Sequence, residues 1–222
     1  MKIFRHLTLA IAILTGINSH AQQKLSQLDL SNASQTFGSV MSGMTVTGEE
    51  AVVAGEVCRD AVGVFPHNVI RINAKGLCKT LHGKIGVADT GIDYSSPEVT
   101  SITQTDGTKI FYHKKNGTRF FAGVSDAAGN ADKGSVTFRI VGDGDEIFSK
   151  RMTAGEKLFP INVNISGITT LELIVDNAGD GYSGDFAIWS ETEIKYDVHM
   201  AVTLTTDNIN KTEGINEEDW NR

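Results

Sequence analysis

The chain has 222 residues, of which 40% are hydrophobic and 21% charged, with a formal net charge of −7 at pH 7. That composition supports a folded core. It argues against nucleic acid and anionic membrane surfaces as partners, because no basic run exceeds Lys114-Lys115.

The N-terminus reads as an export signal. Lys2 and Arg5 precede an apolar stretch from Leu7 to Ile17, and Ser19-His20-Ala21 offers a small-x-small cleavage site before Gln22. Residues 1–21 are therefore expected to be a signal peptide, and the mature protein to be secreted or periplasmic. No later segment is apolar enough to span a bilayer as a helix. In an oxidising compartment Cys58 and Cys78 are expected to pair, a crosslink worth roughly 3 kcal/mol. Two buried free thiols are the alternative.

Beyond the signal, Leu25, Leu28 and Leu30 open the mature domain, followed by a Ser/Asn/Gln/Gly stretch. Helical periodicity is almost absent, and alternation of period two recurs instead. His82–Gly91 and Arg119–Gly129 are both apolar runs leaving through Gly-Val-x-Asp. In Ser135–Val141, Val136, Phe138 and Ile140 share one face, Thr137 and Arg139 the other. Ile161–Ile165 and Ile194–Val198 alternate cleanly, and Leu171–Val175 is another apolar run, broken by Glu172. Asp106-Gly107, Asn116-Gly117, Gly142-Asp143-Gly144 and Ser166-Gly167 are turn signals. Many short strands with such turns predict an all-β sandwich or barrel, one domain over residues 24–198. Residues 199–222 lose the pattern and end in Glu217-Glu218-Asp219. They predict a polar, disordered tail whose removal leaves stability unchanged.

Enzyme signatures are missing. There is no HExxH, GxSxG or P-loop. His67, His82, His113 and His199 are scattered, without the spacing of a zinc site. The carboxylates Asp143, Asp145 and Glu146 sit in a hairpin turn. The stretch with binding chemistry is Asp176–Trp189, DNAGDGYSGDFAIW. Its glycines permit tight turns, and its Asp side chains offer oxygens to a cation or to sugar hydroxyls. Asp176, Asp180 and Asp185 are the candidate Ca²⁺ ligands, although their spacing is not that of an EF-hand. Tyr182 is the candidate exposed aromatic. Trp189 reads as a core anchor or as a sugar platform.

Two runs, Lys133–Met152 and Ile165–Ile194, resemble the NPCBM family of carbohydrate-binding modules. The matching motifs are the strand Gly134-Ser135-Val136-x-Phe138, the turn Gly142-Asp143-Gly144, Ile165-Ser166-Gly167, and the loop Asn177-Ala178-Gly179-Asp180-Gly181 leading to Asp185 and Trp189. Leu28–Val40 and Ala61–Gly76 extend the likeness, which covers about Lys24–Tyr196. It implies a galactose-binding-like jelly-roll β-sandwich of antiparallel strands and a non-catalytic module for glycans, those containing galactose among them. The sugar-binding residues it implies are His67, Asp180, Tyr182, Asp185 and Trp189. Glycoside hydrolases are the expected companions. The sequence departs from the family in three places. Phe186 and Ile188 replace a His and an Asp, Val64-Phe65 replaces Thr-His, and residues 92–118 form an inserted hairpin. The rival expectations are a structural or protein-binding sandwich with a degenerate sugar site, and an accessory fragment of a glycoside hydrolase.

Overall fold

Val136, Phe138 and Ile140 are fully buried, while Thr137 and Arg139 between them remain partly exposed. This is the period of a strand with one covered face, and it recurs through the fold. The structure, a computed structural model, describes residues 20–89, 96–125, 134–197 and 204–206. In chain order its strands are β1 (His20–Lys24), β2 (Met41–Ser42), β3 (Val52–Val53), β4 (Glu56–Val57), β5 (Val62–Val64), β6 (Asn68–Asn73), β7 (Cys78–Val87) and β8 (Val99–Thr103). There follow β9 (Lys109–Lys115), β10 (Thr118–Ser125), β11 (Ser135–Gly142), β12 (Asp145–Thr153), β13 (Phe159–Asn164), β14 (Thr170–Asp176), β15 (Ala187–Asp197) and β16 (Thr205–Thr206).

Two antiparallel sheets face one another. The first runs β13-β7-β15-β5-β2, with β1 also paired to β15, and the second runs β12-β11-β14-β6-β16. Between them lies the main core, which includes Leu25, Ile70, Leu81, Phe138, Leu173 and Trp189. The antiparallel all-β sandwich expected from the sequence is what the chain forms. Residues 1–19 lie outside the description. The segment after the expected cleavage point is part of the sheet, since Gln22, Gln23 and Lys24 pair with Lys195, Ile194 and Glu193.

A second cluster forms beside the sandwich. Strands β8, β9 and β10 make a separate three-stranded sheet. Ile110, Phe121 and Val124 from it pack with Val46, Val53, Phe65, Phe186 and Ile188. Thus the expected inserted hairpin supplies two strands of a sheet that carries its own core. It covers part of the first sheet's outer face.

On β15 the pairing with β7 shifts register between Ser190 and Glu193. The bulge puts Glu191 at φ 49°, and Arg59's carbonyl accepts both the Glu191 N–H and the Ser190 hydroxyl. Gly83 lies opposite: a Cβ there would stand 2.7 Å from Thr192 Cα.

Two expectations are corrected. Cys58 and Cys78 are free and buried. Cys58 belongs to the second cluster and Cys78 to the main core, so different packing environments hold the two sulfurs. The tail is not polar coil throughout. Leu204 is 6% exposed in the main core, and Thr205 and Thr206 pair with Asn73 and Ile72. Asn32 donates its side-chain N–H to the Thr206 carbonyl at 3.2 Å, and the Thr206 hydroxyl donates to the Asp29 carbonyl. The physical reason is that β6 offers an open edge and Leu204 an apolar anchor. The rest of the expected tail lies outside the described residues.

Candidate functional site

The loop between β14 and β15 is built from turns that only a few residues allow. Gly179, Gly181 and Gly184 have φ of 84°, 112° and 75°, the left-handed region that favours glycine. Asn177 accepts the Asp180 N–H on its carbonyl at 3.3 Å and the Gly179 N–H on its side chain at 3.2 Å. The Asp185 N–H closes on the Tyr182 carbonyl at 3.4 Å. The loop is therefore preformed, with strands at both ends.

A parallel argument fixes the facing loop. Ser34 and Val69 exchange backbone hydrogen bonds at 3.1 and 2.9 Å. Gln35 accepts the Phe65 N–H at 3.1 Å, and Thr36 accepts the His67 N–H at 2.8 Å. Phe37 and His67 are thereby carried to the same end of the sandwich as Tyr182. The Tyr182 ring lies 5.8 Å from Phe37, 6.2 Å and nearly parallel to buried Phe65, and 5.8 Å and perpendicular to exposed His67. Tyr182 is half-buried. One part of the ring is held by aromatic contacts, and the remainder is open to a ligand.

Charged groups flank this ring in two arms. In one, Asp176 Oδ1 meets His67 Nδ1 at 3.0 Å, while its Oδ2 accepts from Arg139 at 3.3 Å. Arg139 also donates to Glu146, and those two carboxylates hold the guanidinium above its usual range. In the other, Asp180 Oδ2 accepts from Arg151 at 2.8 Å and from the Ser135 hydroxyl at 2.6 Å. Both arms pair an acceptor with a donor, the chemistry that reads hydroxyls.

The sequence-derived candidates divide. His67, Tyr182 and Asp176 converge, and Asp180 joins them through the loop. Two are corrected. Asp185 is not at the rim but buried, 1% exposed. Its Oδ1 accepts the Ser135 N–H at 2.8 Å, and its Oδ2 has no hydrogen-bond partner among the described residues. Burial chiefly pushes its carboxyl up to about 8, nearby Asp180 pushes the same way, and the Ser135 N–H and Arg151 oppose them. Trp189 is fully buried, edge-on to Phe138 at 5.0 Å, so it is a core anchor and not a platform. The expected calcium set does not converge. Asp176 and Asp180 are each engaged by an arginine, and among the described residues no group of three His, Cys, Asp or Glu side chains could hold a metal ion.

Sequence reasoning missed Phe37, Arg139 and Arg151. Arg139 carried a signal, being a cation at an outward position of a patterned strand. Phe37 carried none, because what places it is the Ser34–Val69 bridge.

Residues 102–195 match the family model of the NPCBM/NEW2 domain, which bears out the resemblance; the match holds less than half of the chain but includes the whole Tyr182 loop. No curated protein is significantly similar to the chain. Among solved structures, a CBM51 module from a Clostridium perfringens GH95 protein, in complex with methyl-galactose, is 17% identical with a TM-score of 0.55, covering 78% of this chain and 99% of that one. CBM51-2 with INT domains of Clostridium perfringens ZmpB, in complex with GlcNAc, is 17% identical with a TM-score of 0.54, over 80% of this chain and 32% of that one. The tandem CBM51 modules of the Streptococcus pneumoniae family 98 glycoside hydrolase are 15% identical with a TM-score of 0.54, over 88% of this chain and 52% of that one. This chain thus spans about a third of the ZmpB structure and about half of the tandem modules. The fold is that of CBM51 modules.

Proposed function

We propose that this protein is an exported, non-catalytic module that binds glycans at the Tyr182 rim. The observation that carries the reading is the half-exposed Tyr182 ring, seated on Phe65 and flanked by the His67–Asp176 pair. The ring faces the apolar side of a sugar. His67, Asp176, Asp180 and Arg151 supply donors and acceptors for its hydroxyls. Pre-formed strand ends limit the entropy lost on binding. The NPCBM/NEW2 match and the CBM51 fold support carbohydrate as the ligand class, and the methyl-galactose complex of one neighbour makes galactose-containing glycans the first to test. Neighbours that are modules of glycoside hydrolases support such enzymes as companions.

A protein-binding reading has one observation in its favour. Phe65, Phe186 and Ile188 stand where the family pattern is polar, and β8–β10 bury them. A sugar site here is therefore displaced toward Tyr182 and His67.

A glycan array on the secreted chain tests both. Retention of galactose-containing glycans, weakened about tenfold or more by Tyr182→Ala (~1.4 kcal/mol), supports the rim. An array that stays blank sinks it. Retention should survive EDTA, because arginines already neutralise Asp176 and Asp180; loss on chelation would return calcium to the site. A secreted product whose N-terminus is Gln22 would verify export.

A further inference from the structure

Strands β9 and β10 meet at a tight Asn116-Gly117 turn, and their register sets Arg119 directly opposite Lys114 and Thr118 opposite Lys115. Like charges directly opposite weaken a strand pair. Here no carboxylate among the described residues forms an ion pair with Lys114 or Arg119. Glu98, the residue before β8, accepts the Lys114 backbone N–H on its carbonyl at 3.3 Å. On a chain of net charge −7, Lys114 and Arg119 make an exposed cationic point.

The hairpin is anchored close to its tip, at the His113–Phe120 pair next to Lys114 and Arg119. His113 Nε2 lies 2.9 Å from the Thr47 carbonyl oxygen. The Phe120 ring lies against Gly48, where a Cβ would come within 2.9 Å of it. The face that carries Arg119 and Lys114 also carries Tyr112 and Phe121. The Arg119 guanidinium sits 4.1 Å above the Tyr112 ring. From there ring contacts are continuous, with Tyr112 to Phe121 at 6.3 Å, Phe121 to Phe37 at 6.0 Å and Phe37 to Tyr182 at 5.8 Å. The cationic tip and the Tyr182 rim are thus linked by a row of ring contacts that passes through buried Phe121.

We propose that the Lys114–Arg119 tip is a second contact for a glycan held at the rim, and that it selects acidic polysaccharides, those carrying sulfate or carboxylate groups. The proposal rests on the rim reading and names its ligand class. The rim supplies hydroxyl recognition, and the tip supplies charge complementarity to sugars farther along the same chain. Arg119 offers the planar fork suited to such oxyanions.

The test compares sulfated galactan oligosaccharides with the same chains after desulfation, by calorimetry on the secreted protein. The expected result is a preference of about tenfold for the sulfated chains at low salt, fading as salt shortens the Debye length. The Lys114→Gln/Lys115→Gln/Arg119→Gln variant should bind both chains alike, with affinity for the desulfated chain unchanged. Lys114 and Arg119 are exposed, and an unchanged circular dichroism melt would confirm that the variant folds. Tyr182→Ala should weaken both chains. Equal affinity of the wild type for both chains overturns the proposal, as does a preference that persists in the triple variant. Binding to phosphatidylglycerol vesicles but not to sulfated chains would assign the tip to lipid and overturn it too. A sulfate preference that the triple variant abolishes and Tyr182→Ala leaves untouched would remove the rim and the shared glycan together.

Discussion

Ile188 and Trp189 are neighbours on β15 and both are fully buried, yet they serve different cores. Trp189 faces the second sheet and meets Phe138. Ile188, on the opposite face, packs with Phe65, Phe121 and Phe186. The main core joins two sheets that alternate buried and exposed residues. The second cluster joins loop residues such as Val46 and Cys58 to a small appended sheet. The first is made by patterned strands, the second by whatever lies under β8–β10. The proposed binding rim belongs to the second, since Tyr182 and Phe37 pack against it.

The largest effects should come from truncating one aromatic in each core. Trp189→Ala is expected to cost about 3–5 kcal/mol and to lower the global unfolding midpoint in urea. Phe121→Ala should instead open β8–β10 locally, with faster hydrogen exchange over residues 99–125 and little change elsewhere. If Phe121→Ala moves the global midpoint as far as Trp189→Ala does, the two clusters are one cooperative unit.

The tail sharpens the main core. Removing residues 204–222 deletes Leu204 and the β16 pairing. Leu204→Ala alone should cost about 2 kcal/mol, the low end for a buried leucine. A melt unchanged by the deletion would show that β16 adds nothing to the sandwich.

Asp185 lies where the rim loop joins the sandwich. Its carboxyl rises from 3.8 unfolded to about 8 folded, so the native state binds the extra proton. Its stabilising contribution is complete below pH 4 and is lost as pH rises through about 8. Asp185→Asn should therefore match the wild type near pH 4 and exceed it above pH 8, by about 1–3 kcal/mol. A wild type whose stability stays level with the variant's from pH 4 to 9 would contradict the buried, singly bonded carboxyl.

The smallest effect concerns sulfur. Reductant should leave the melting temperature unchanged, because neither thiol is in a disulfide. Burial pushes both thiols up, so native-state alkylation must await opening. Cys58 should label faster than Cys78 if the second cluster opens first; equal rates would merge the two.

Legibility in the sequence followed the same division. The period of β11, β13 and β14 is printed in Ser135–Val141, Ile161–Ile165 and Leu171–Val175, because each has one face covered and one wet. The turns at Asn116-Gly117 and Gly142-Asp143-Gly144 were equally plain, since they need φ that glycine supplies. Ile188-Trp189 was not, because a strand buried on both faces loses its alternation. Asp185 misled for a related reason. In a loop rich in Asp and Gly, nothing local separates a carboxylate in water from one tucked beneath Ser135. Half of the rim was legible, Tyr182 as an aromatic at a loop tip and His67 through the family resemblance. Phe37 and Arg151 were not, because they reach the site through contacts distant in the chain.

The bulge opposite Gly83 has a consequence for how this sequence can vary. With a Cβ at position 83 only 2.7 Å from Thr192 Cα, any side chain there demands that β15 straighten. Straightening would withdraw Glu191 from its left-handed turn and from the Arg59 carbonyl. Positions 83 and 190–193 are therefore expected to vary together, a side chain in β7 arriving with loss of the extra residue in β15.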